Sequence, residues 1–405
     1  MMTLEQARAL DAADPLASFR DLFALPPGVI YLDGNSLGPL PRAAGPALAD
    51  MVERQWGDRL IRSWNEGWID APQRIGGKIA RLIGAEADEV IITDSTSVNL
   101  FKLLVSALRV DPRRTVIVSE VGNFPTDLHI AEGAVACVPG ATLKAVPRDQ
   151  IGGAIDDKTA LVLLTHVHYK TAQRYDMKSF SARAHAAGAL VLWDLSHSAG
   201  AVAVSLNDCG ADLAVGCGYK YLNGGPGAPA YLYVARNLQE KLANPVSGWM
   251  GHAAPFAFAD RYTPAPGIKR WLAGTPPMLA MAALESGVDL MLSANFDAVC
   301  AKSASLFDVF AGIGDTLGLE CVSPRDPAQR GSHISFRHPQ AYALCQALIA
   351  HGVIGDFRDP DILRFGLTPL YLRHEDVMRA GDILATILVG ELHRAPEFSK
   401  RYAVT

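Results

Sequence analysis

Residues 216–227, GCGYKYLNGGPG, place a lysine just after an apolar run and just before a turn rich in glycine and proline. Small residues around Lys220 allow a flat ring to approach the backbone closely. A lysine held in such surroundings can lose its proton and act as a nucleophile toward an aldehyde. The alternative is a lysine that ends a strand at the protein surface, so this stretch needs support from elsewhere in the chain.

A second apolar run, residues 190–193 (LVLW), ends in Asp194, and His197 follows three residues later. An aspartate at the carboxyl end of a central parallel strand lies where α/β sheets bind ligands. A buried carboxylate needs a partner, and a protonated pyridine nitrogen would suit it, because that ion pair makes the ring an electron sink. His197 could then reach the phenolic oxygen of the same ring. A helix N-cap and a core histidine are the alternatives for these two side chains.

A third segment, residues 93–99 (TDSTSVN), follows a predicted strand and opens a predicted helix. Hydroxyl groups and free backbone N–H groups at a helix N-terminus form a phosphate site, although serine and threonine are also ordinary N-caps. The three segments run in the order phosphate loop, aspartate, lysine. This order resembles that of the aminotransferase-like superfamily of pyridoxal-phosphate enzymes, known as fold type I.

Apolar runs alternate with helix-period stretches between about residues 75 and 235. Several runs are continuously apolar, which favours a mostly parallel sheet covered by helices on both faces. The alternation is typical of an α/β domain, and the resemblance implies a seven-stranded sheet. The predicted strands are 89–93, 115–119, 143–146, 160–165, 190–193, 213–216 and 230–234, with helices over 96–110, 126–138 and 179–187.

The chain outside this region divides into an N-terminal segment, a loop-rich zone and a helical end. The first residues predict an amphipathic helix and lack the basic and apolar regions of a signal peptide. Residues 245–277 hold too many prolines and glycines for regular structure, which predicts functional loops. The remaining predicted elements are helices over 278–292, 296–313, 341–351 and 375–394 and a strand over 333–337. We therefore expect an N-terminal segment (1–50) that packs with a small C-terminal α+β domain (286–405), and a large cofactor-binding domain (51–285).

The composition excludes several classes of partner. The chain has 405 residues, 49% of them hydrophobic and 20% charged, and a net charge of −5. Without clustered Lys and Arg, we expect neither a nucleic-acid surface nor an anionic membrane as partner. No apolar run approaches the roughly 20 residues of a membrane span. The six cysteines form no CxxC pair, which predicts no metal site and a reducing, cytoplasmic setting.

Four motifs together resemble those of the kynureninases. They are YLDGNSLGP at 31–39, FPTD at 124–127, WDLSHSAGA at 193–201 and GYKYLNGGPG at 218–227. The resemblance extends from about residue 20 to the end of the chain. A histidine at position 197 is informative, because the related desulfurases usually have glutamine there.

The resemblance implies a role for each matching residue. Lys220 would carry pyridoxal 5′-phosphate and shuttle protons, Asp194 would pair with the ring nitrogen, and His197 would lie near the ring hydroxyl. The other implied cofactor contacts are Phe124 stacked on the ring, Thr96, Ser97 and Tyr219 on the phosphate, and Asp127 and Thr165 nearby. Trp249 and Thr275 belong to a zone that, in the family, reaches the cofactor of the other subunit, which implies a homodimer with its active site at the interface.

The implied reaction is hydrolysis of L-kynurenine, or of its 3-hydroxy derivative, to anthranilate or 3-hydroxyanthranilate and L-alanine, as in tryptophan catabolism and NAD biosynthesis. Arg364 would bind the substrate α-carboxylate, a task suited to a planar guanidinium. Tyr219 would be a proton donor. Candidates for contacts to the aromatic part of the substrate are Ser36, Trp64 and His252, for which ordinary loop packing is the alternative.

Two other functions compete with this one. A cysteine desulfurase or selenocysteine lyase of the same fold needs a mobile nucleophilic cysteine in the C-terminal part of the chain. The candidates there are Cys321, in a strand-like context, and Cys345, in a predicted helix, and neither setting is typical of a loop nucleophile. A non-enzymatic cofactor-binding protein is the second competitor, and the presence of lysine, aspartate and arginine together disfavours it.

Overall fold

The computed structural model describes residues 2–402. Its strands are β1 (Ile30–Tyr31), β2 (Val90–Ile92), β3 (Val116–Glu120), β4 (Thr142–Val146), β5 (Thr159–Thr165), β6 (Leu190–Asp194), β7 (Leu213–Gly216), β8 (Tyr231–Val234), β9 (Glu320–Cys321), β10 (His333–Arg337), β11 (Val353–Ile354), β12 (Asp356–Arg358) and β13 (Ile362–Gly366). Its α-helices are α1 (Leu4–Ala12), α2 (Ala44–Asp50), α3 (Ala71–Ile83), α4 (Thr96–Leu108), α5 (Pro125–Ala136), α6 (Ile151–Ala154), α7 (Met177–Ala186), α8 (Met278–Ser293), α9 (Phe296–Thr316), α10 (Ala341–Ala350) and α11 (His374–Val389).

Contacts divide the chain into two compact units. The large unit comprises Ala44–His166 and Tyr175–Leu292, and the small unit comprises the residues up to Ala43, Val167–Arg174 and the residues from Ser293 onward. We expected domains at 1–50, 51–285 and 286–405. The compact units begin and end several residues away from those bounds, so the expected domain bounds stay a prediction.

The large unit is built on one seven-stranded sheet with the order β2-β8-β7-β6-β5-β3-β4. The pairs β3–β4, β3–β5, β5–β6 and β6–β7 are parallel. Strand β8 runs antiparallel to both of its neighbours, so it alone among the seven runs against the others. The predicted mostly parallel sheet with helices on both faces is confirmed.

Continuous apolar sequence explains the centre of this sheet. All seven residues of β5, TALVLLT, are buried, as are the four residues of β7. Strands covered on both faces must be apolar on both faces, and each fully buried Leu or Val contributes about 1.5–3 kcal/mol of transfer free energy. The seven strands begin and end within two residues of their predicted positions.

Local signals set the helix ends, with one clear error in our predictions. Helix α4 begins where the Ser95 hydroxyl accepts a hydrogen bond from the backbone N–H of Val98, which is an ordinary N-cap. The predicted helix over 375–394 is wrong at its end, because α11 stops at Val389. Glu391 has a φ of 51°, a left-handed conformation that cannot continue an α-helix.

The small unit contains a four-stranded antiparallel sheet of order β12-β13-β10-β9 and a parallel pair, β1–β11. Helix α11 packs on α9, α10 and α1. A buried ion pair joins the N-terminal and C-terminal parts of this unit, since Lys302 Nζ lies 2.6 Å from Asp14 Oδ2. The predicted N-terminal helix is present as α1.

Two further observations concern helices. Residues Met51–Asp58 form a π-helix that directly continues α2, and the sequence patterns did not predict it.

The loop-rich zone, residues 245–277, holds only short 3₁₀ turns, at Trp249–Gly251, Pro255–Ala257 and Gly267–Trp271. Within residues 2–402, no helix combines the length and the apolar character that crossing a membrane would need.

Candidate active site

The carboxyl ends of the parallel strands bring several of the predicted cofactor residues of the large unit together. Thr165, the last residue of β5, is paired across the ladder with Asp194, the last residue of β6. Asp194 is in turn paired with Val215 of β7. Because parallel strands all end at the same edge, the loops that follow them converge there, which is where ligands bind in open α/β sheets.

Lys220 lies in the loop between β7 and β8 and is buried, with 9% of its surface exposed. Its Nζ atom is 3.0 Å from His197 Nε2 and 5.7 Å from the centroid of the Phe124 ring. The loop turns tightly beside the lysine, and a β-carbon at Gly218 would lie 2.6 Å from the carbonyl oxygen of Pro229. The glycine is therefore required by the close approach of two backbone segments.

Asp194 is a buried carboxylate beside this lysine. Its Oδ1 atom accepts a hydrogen bond of 2.8 Å from the backbone N–H of Ser196. Burial raises the pKa of Asp194, although Ser196 and the charge of Lys220 favour the ionised form. None of the ion pairs found in residues 2–402 includes Asp194, so the site has a buried acid to offer to a cationic ligand.

A second buried acid, Asp127, lies at the start of α5. Burial, and then the charge of Asp194, raises its pKa well above the ordinary value. The Thr165 hydroxyl is 3.1 Å from Asp127 Oδ2 and 2.5 Å from Asn123 Oδ1. Asn123 also accepts a hydrogen bond from the backbone N–H of Phe124. Sequence reasoning missed Asn123, and its position directly ahead of the FPTD motif was the available signal.

The start of α4 presents Thr96 and Ser97 half-buried. The loop before it is held by Asp94, which adopts a left-handed φ of 48°. Lys102, with its side chain fully buried, contacts the Asp94 carboxylate and donates a 2.8 Å hydrogen bond to the Trp271 carbonyl. This lysine was also missed, although a single charge within the apolar sequence of α4 marks it.

The other predicted residues of the large unit have local contacts. Tyr219 is 36% exposed, with its ring centroid 5.8 Å from Lys220 Nζ. Trp249 is 41% exposed and packs edge-on against Phe256, and Thr275 is exposed. Trp64 packs in the same manner on Trp68. His252 Nδ1 accepts a hydrogen bond from the backbone N–H of Ala254.

Two predicted substrate residues meet within the small unit. Arg364, in β13, donates a 2.8 Å hydrogen bond from Nη2 to the hydroxyl of Ser36. Asp356 of β12 accepts from both side chains. The motif at 31–39 and the arginine therefore belong to one polar cluster.

We expect Asp33, beside this cluster, to make stability depend on pH. Burial and the charge of Asp356 raise the pKa of Asp33 from 3.8 to about 7. As the pH rises from about 4 to about 7, the unfolded chain loses this proton first, so ionisation of Asp33 lowers the free energy of unfolding across that range. Asp33→Asn cannot ionise. When urea denaturation is measured at pH 5 and at pH 8, the free energy of unfolding of the variant relative to wild type should therefore rise by about 1–3 kcal/mol between the two pH values.

The control for this prediction is Asp21→Asn, a substitution of an exposed carboxyl in the same unit. It should shift the stability equally, or not at all, at the two pH values. If Asp33→Asn changed the free energy of unfolding by the same amount at both pH values, the raised pKa of Asp33 would be contradicted.

Comparison with known proteins identifies the family of the chain. A family model described as the kynureninase C-terminal domain matches residues 299–384. The kynureninase of Burkholderia mallei (strain SAVP1) is 51% identical over 417 residues, covering 100% of both chains. The kynureninase of Pseudomonas fluorescens is 48% identical over 416 residues, again covering 100% of both.

Solved structures of other enzymes share the fold. An apo cysteine desulfurase from Thermococcus onnurineus NA1 has a TM-score of 0.79 at 18% identity, covering 92% of this chain and 98% of that one. A C-DES mutant with glycine covalently linked to its PLP cofactor has a TM-score of 0.77 at 18% identity, covering 90% and 98%. Such low identities show the fold alone. The full-length identity of about one half to named relatives shows more, and the chain belongs to the kynureninase family.

Proposed function

We propose that this protein hydrolyses L-kynurenine, its 3-hydroxy derivative, or both, to L-alanine and anthranilate or 3-hydroxyanthranilate. The observation that carries the proposal is the buried group of Lys220, His197 and Asp194 in a chain that matches kynureninases over its full length. Burial raises the pKa of Asp194, and a buried acid with a shifted pKa is typical of functional sites.

The residues present fit pyridoxal 5′-phosphate. Asp194 is a buried acid that would pair with the protonated ring nitrogen, and His197 would lie near the ring hydroxyl. Phe124 would stack on the ring, with Asp127 and Thr165 nearby. Thr96, Ser97 and Tyr219 would hold the phosphate, since hydroxyls at a helix N-terminus suit an anion. When bound, the cofactor supplies an electron sink for cleavage of the bond between the β- and γ-carbons.

The chain's own side chains would carry the protons. Lys220, the residue that would carry the cofactor, would take the α-proton at Nζ, and His197 Nε2 lies 3.0 Å from that nitrogen. Tyr219, half-exposed beside the lysine, would donate a proton through its hydroxyl. Arg364 would hold the α-carboxylate, with the Ser36 hydroxyl hydrogen-bonded to Arg364, and Trp64 and His252 are the proposed contacts on the aromatic part of the substrate.

We also propose a homodimer in which Trp249 and Thr275 reach the partner's cofactor. Both side chains are exposed. Phe256, which packs on Trp249, and Phe258, which packs on Phe256, are large exposed apolar residues. Exposed apolar patches of this kind mark association surfaces. We also propose a cytoplasmic location, because all six cysteines are free thiols and free thiols are typical of a reducing compartment.

The fold neighbours make a cysteine desulfurase the second candidate, but the cysteines disfavour it. Cys321, in β9, is half-buried, and burial raises the pKa of its thiol. Cys345 is buried in α10, and burial likewise raises its pKa. A thiol attacks as the thiolate, so neither position favours a nucleophile.

The test is to supply each substrate to the holoenzyme. With L-kynurenine we expect fluorescent anthranilate and L-alanine in equal amounts, and with L-cysteine we expect no sulfide or persulfide. The control is Cys321→Ala, which should retain full activity with kynurenine. Sulfide release that disappears in Cys321→Ala would replace our proposal with the desulfurase.

A further inference from the structure

Arg364 and Asp356 form a buried cross-strand ion pair in the small unit. They are directly opposite each other in the antiparallel ladder of β13 and β12, and each side chain is 1% exposed. Arg364 Nε donates to Asp356 Oδ1 at 2.8 Å, while Arg364 Nη2 contacts Oδ2. Two parallel hydrogen bonds of this kind fix the plane of a guanidinium as well as its position.

The other end of the guanidinium is held by two different groups. Arg364 Nη1 donates to the carbonyl oxygen of Tyr169 at 2.6 Å, and Nη2 donates to the hydroxyl of Ser36 at 2.8 Å. Because Asp356 occupies the Nε–Nη2 edge, an incoming carboxylate must meet the Nη1–Nη2 end. Ser36 is the adaptable group there, since a hydroxyl can rotate, and it also donates to Asp356 Oδ2 at 2.8 Å.

A second arginine shares the same carboxylate. Arg358 Nη2 lies 2.6 Å from Asp356 Oδ2 and 3.3 Å from the Ser36 hydroxyl. Although burial opposes ionisation, Arg364 and Arg358 keep the pKa of Asp356 below its ordinary value. Below about pH 7, where Asp33 is protonated, two guanidinium groups face one carboxylate, so the cluster keeps one net positive charge. A buried cluster with this charge is complementary to a ligand carboxylate.

We propose that Asp356 is a positioning residue of the subsite for the amino-acid carboxylate. It sets the orientation of Arg364, and Arg358 supplies the extra positive charge that prevents Asp356 from cancelling the attraction for the ligand. Ser36 couples the three side chains and is the group that moves when a carboxylate arrives. This inference rests on the proposed function, in which Arg364 binds the substrate carboxylate.

The test compares two amines that differ only in their carboxyl group. L-Alanine carries the carboxylate and L-alaninamide replaces it with a neutral amide, and both are titrated into the holoenzyme through its visible absorbance. In Asp356→Asn we expect the dissociation constant for L-alanine to rise about 10–100-fold, the effect of losing a charged hydrogen bond. The constant for L-alaninamide should change less than about threefold, and KM for kynurenine should rise more than kcat falls.

The matched control is Asp361→Asn, the same substitution at a carboxylate that pairs with Arg337 instead. It should leave both dissociation constants unchanged. Asp356→Glu, which keeps the charge, should recover part of the affinity for L-alanine. If Asp356→Asn fails to fold, Asp356→Glu decides the question, with an expected loss of about 3–10-fold for L-alanine alone.

Three results would overturn the proposal. Equal weakening of both amines would indicate a general structural role, and unchanged binding would remove Asp356 from the subsite. Tighter binding of L-alanine by Asp356→Asn would mean that Asp356 only offsets the charge of Arg364. If the wild-type protein responded to neither amine, the proposed function itself would fail, which is a distinct outcome.

Discussion

Lys220→Ala should lose kynurenine hydrolysis by a factor of at least about 10⁴, the upper range for a single acid–base group, and should lose the covalent attachment of the cofactor. Lys220 is the buried amine within reach of His197 Nε2, and in the proposed reaction it both holds the cofactor and moves the α-proton. Turnover by steady-state assay, and borohydride reduction followed by peptide mapping, measure the two losses separately.

Two variants act as controls for this result. Lys220→Arg keeps a positive charge but cannot give up its proton, so it should be as inactive as the alanine variant and still fold. Lys241→Ala removes an exposed lysine of the same unit and should be fully active. Turnover above about 1% of wild type in Lys220→Ala would contradict the assigned role.

Asp194→Asn should lower kcat by about 10²–10⁴-fold, with a smaller change in KM. The substitution keeps the size of the side chain and its hydrogen bond from Ser196 but removes the negative charge. Breaking a buried ion pair costs about 3–5 kcal/mol, and that loss appears in the rate because the electron sink depends on a protonated ring nitrogen. The measurement is single-turnover kinetics on cofactor-saturated protein.

Asp208→Asn, at an exposed carboxylate beyond the same strand, is the control and should leave kcat unchanged. The visible spectrum provides a second readout, because the bound cofactor should titrate at lower pH in Asp194→Asn than in wild type. An unchanged kcat at full cofactor occupancy would show that Asp194 does not hold the ring nitrogen.

The elements that the sequence predicted well are those specified by local pattern. Strand β5 is apolar at nearly every position because both of its faces are covered, so a short window identifies it. No helix was predicted over residues 44–58, because Gly45, Pro46 and Gly57 are residues that ordinarily interrupt helices. The end of α11 was misplaced because the left-handed turn at Glu391 uses a residue that ordinarily favours helices.

The residues of the candidate site likewise fall into those that local sequence predicts and those that it does not. Lys220 and Asp194 could be proposed from sequence because Asp194 ends one apolar run and Lys220 follows another within a few residues, and both runs end at the same edge of the sheet. The partnership of Arg364 with Asp356 could not, because it depends on the register of two strands joined by a turn. The contact of Lys102 with the Trp271 carbonyl joins residues far apart in the sequence, and no local pattern predicts it.

The small unit draws on both ends of the polypeptide, and this has a consequence for biosynthesis. Strand β1 pairs with β11, and Arg20 and Asp14 form ion pairs with Asp376 and Lys302. A nascent chain leaves the ribosome from its N-terminus, so the first 43 residues are synthesised well before the residues after 292 with which they pack. In a fragment truncated near residue 292, those 43 residues would lack their packing partners and would be exposed to proteases and chaperones.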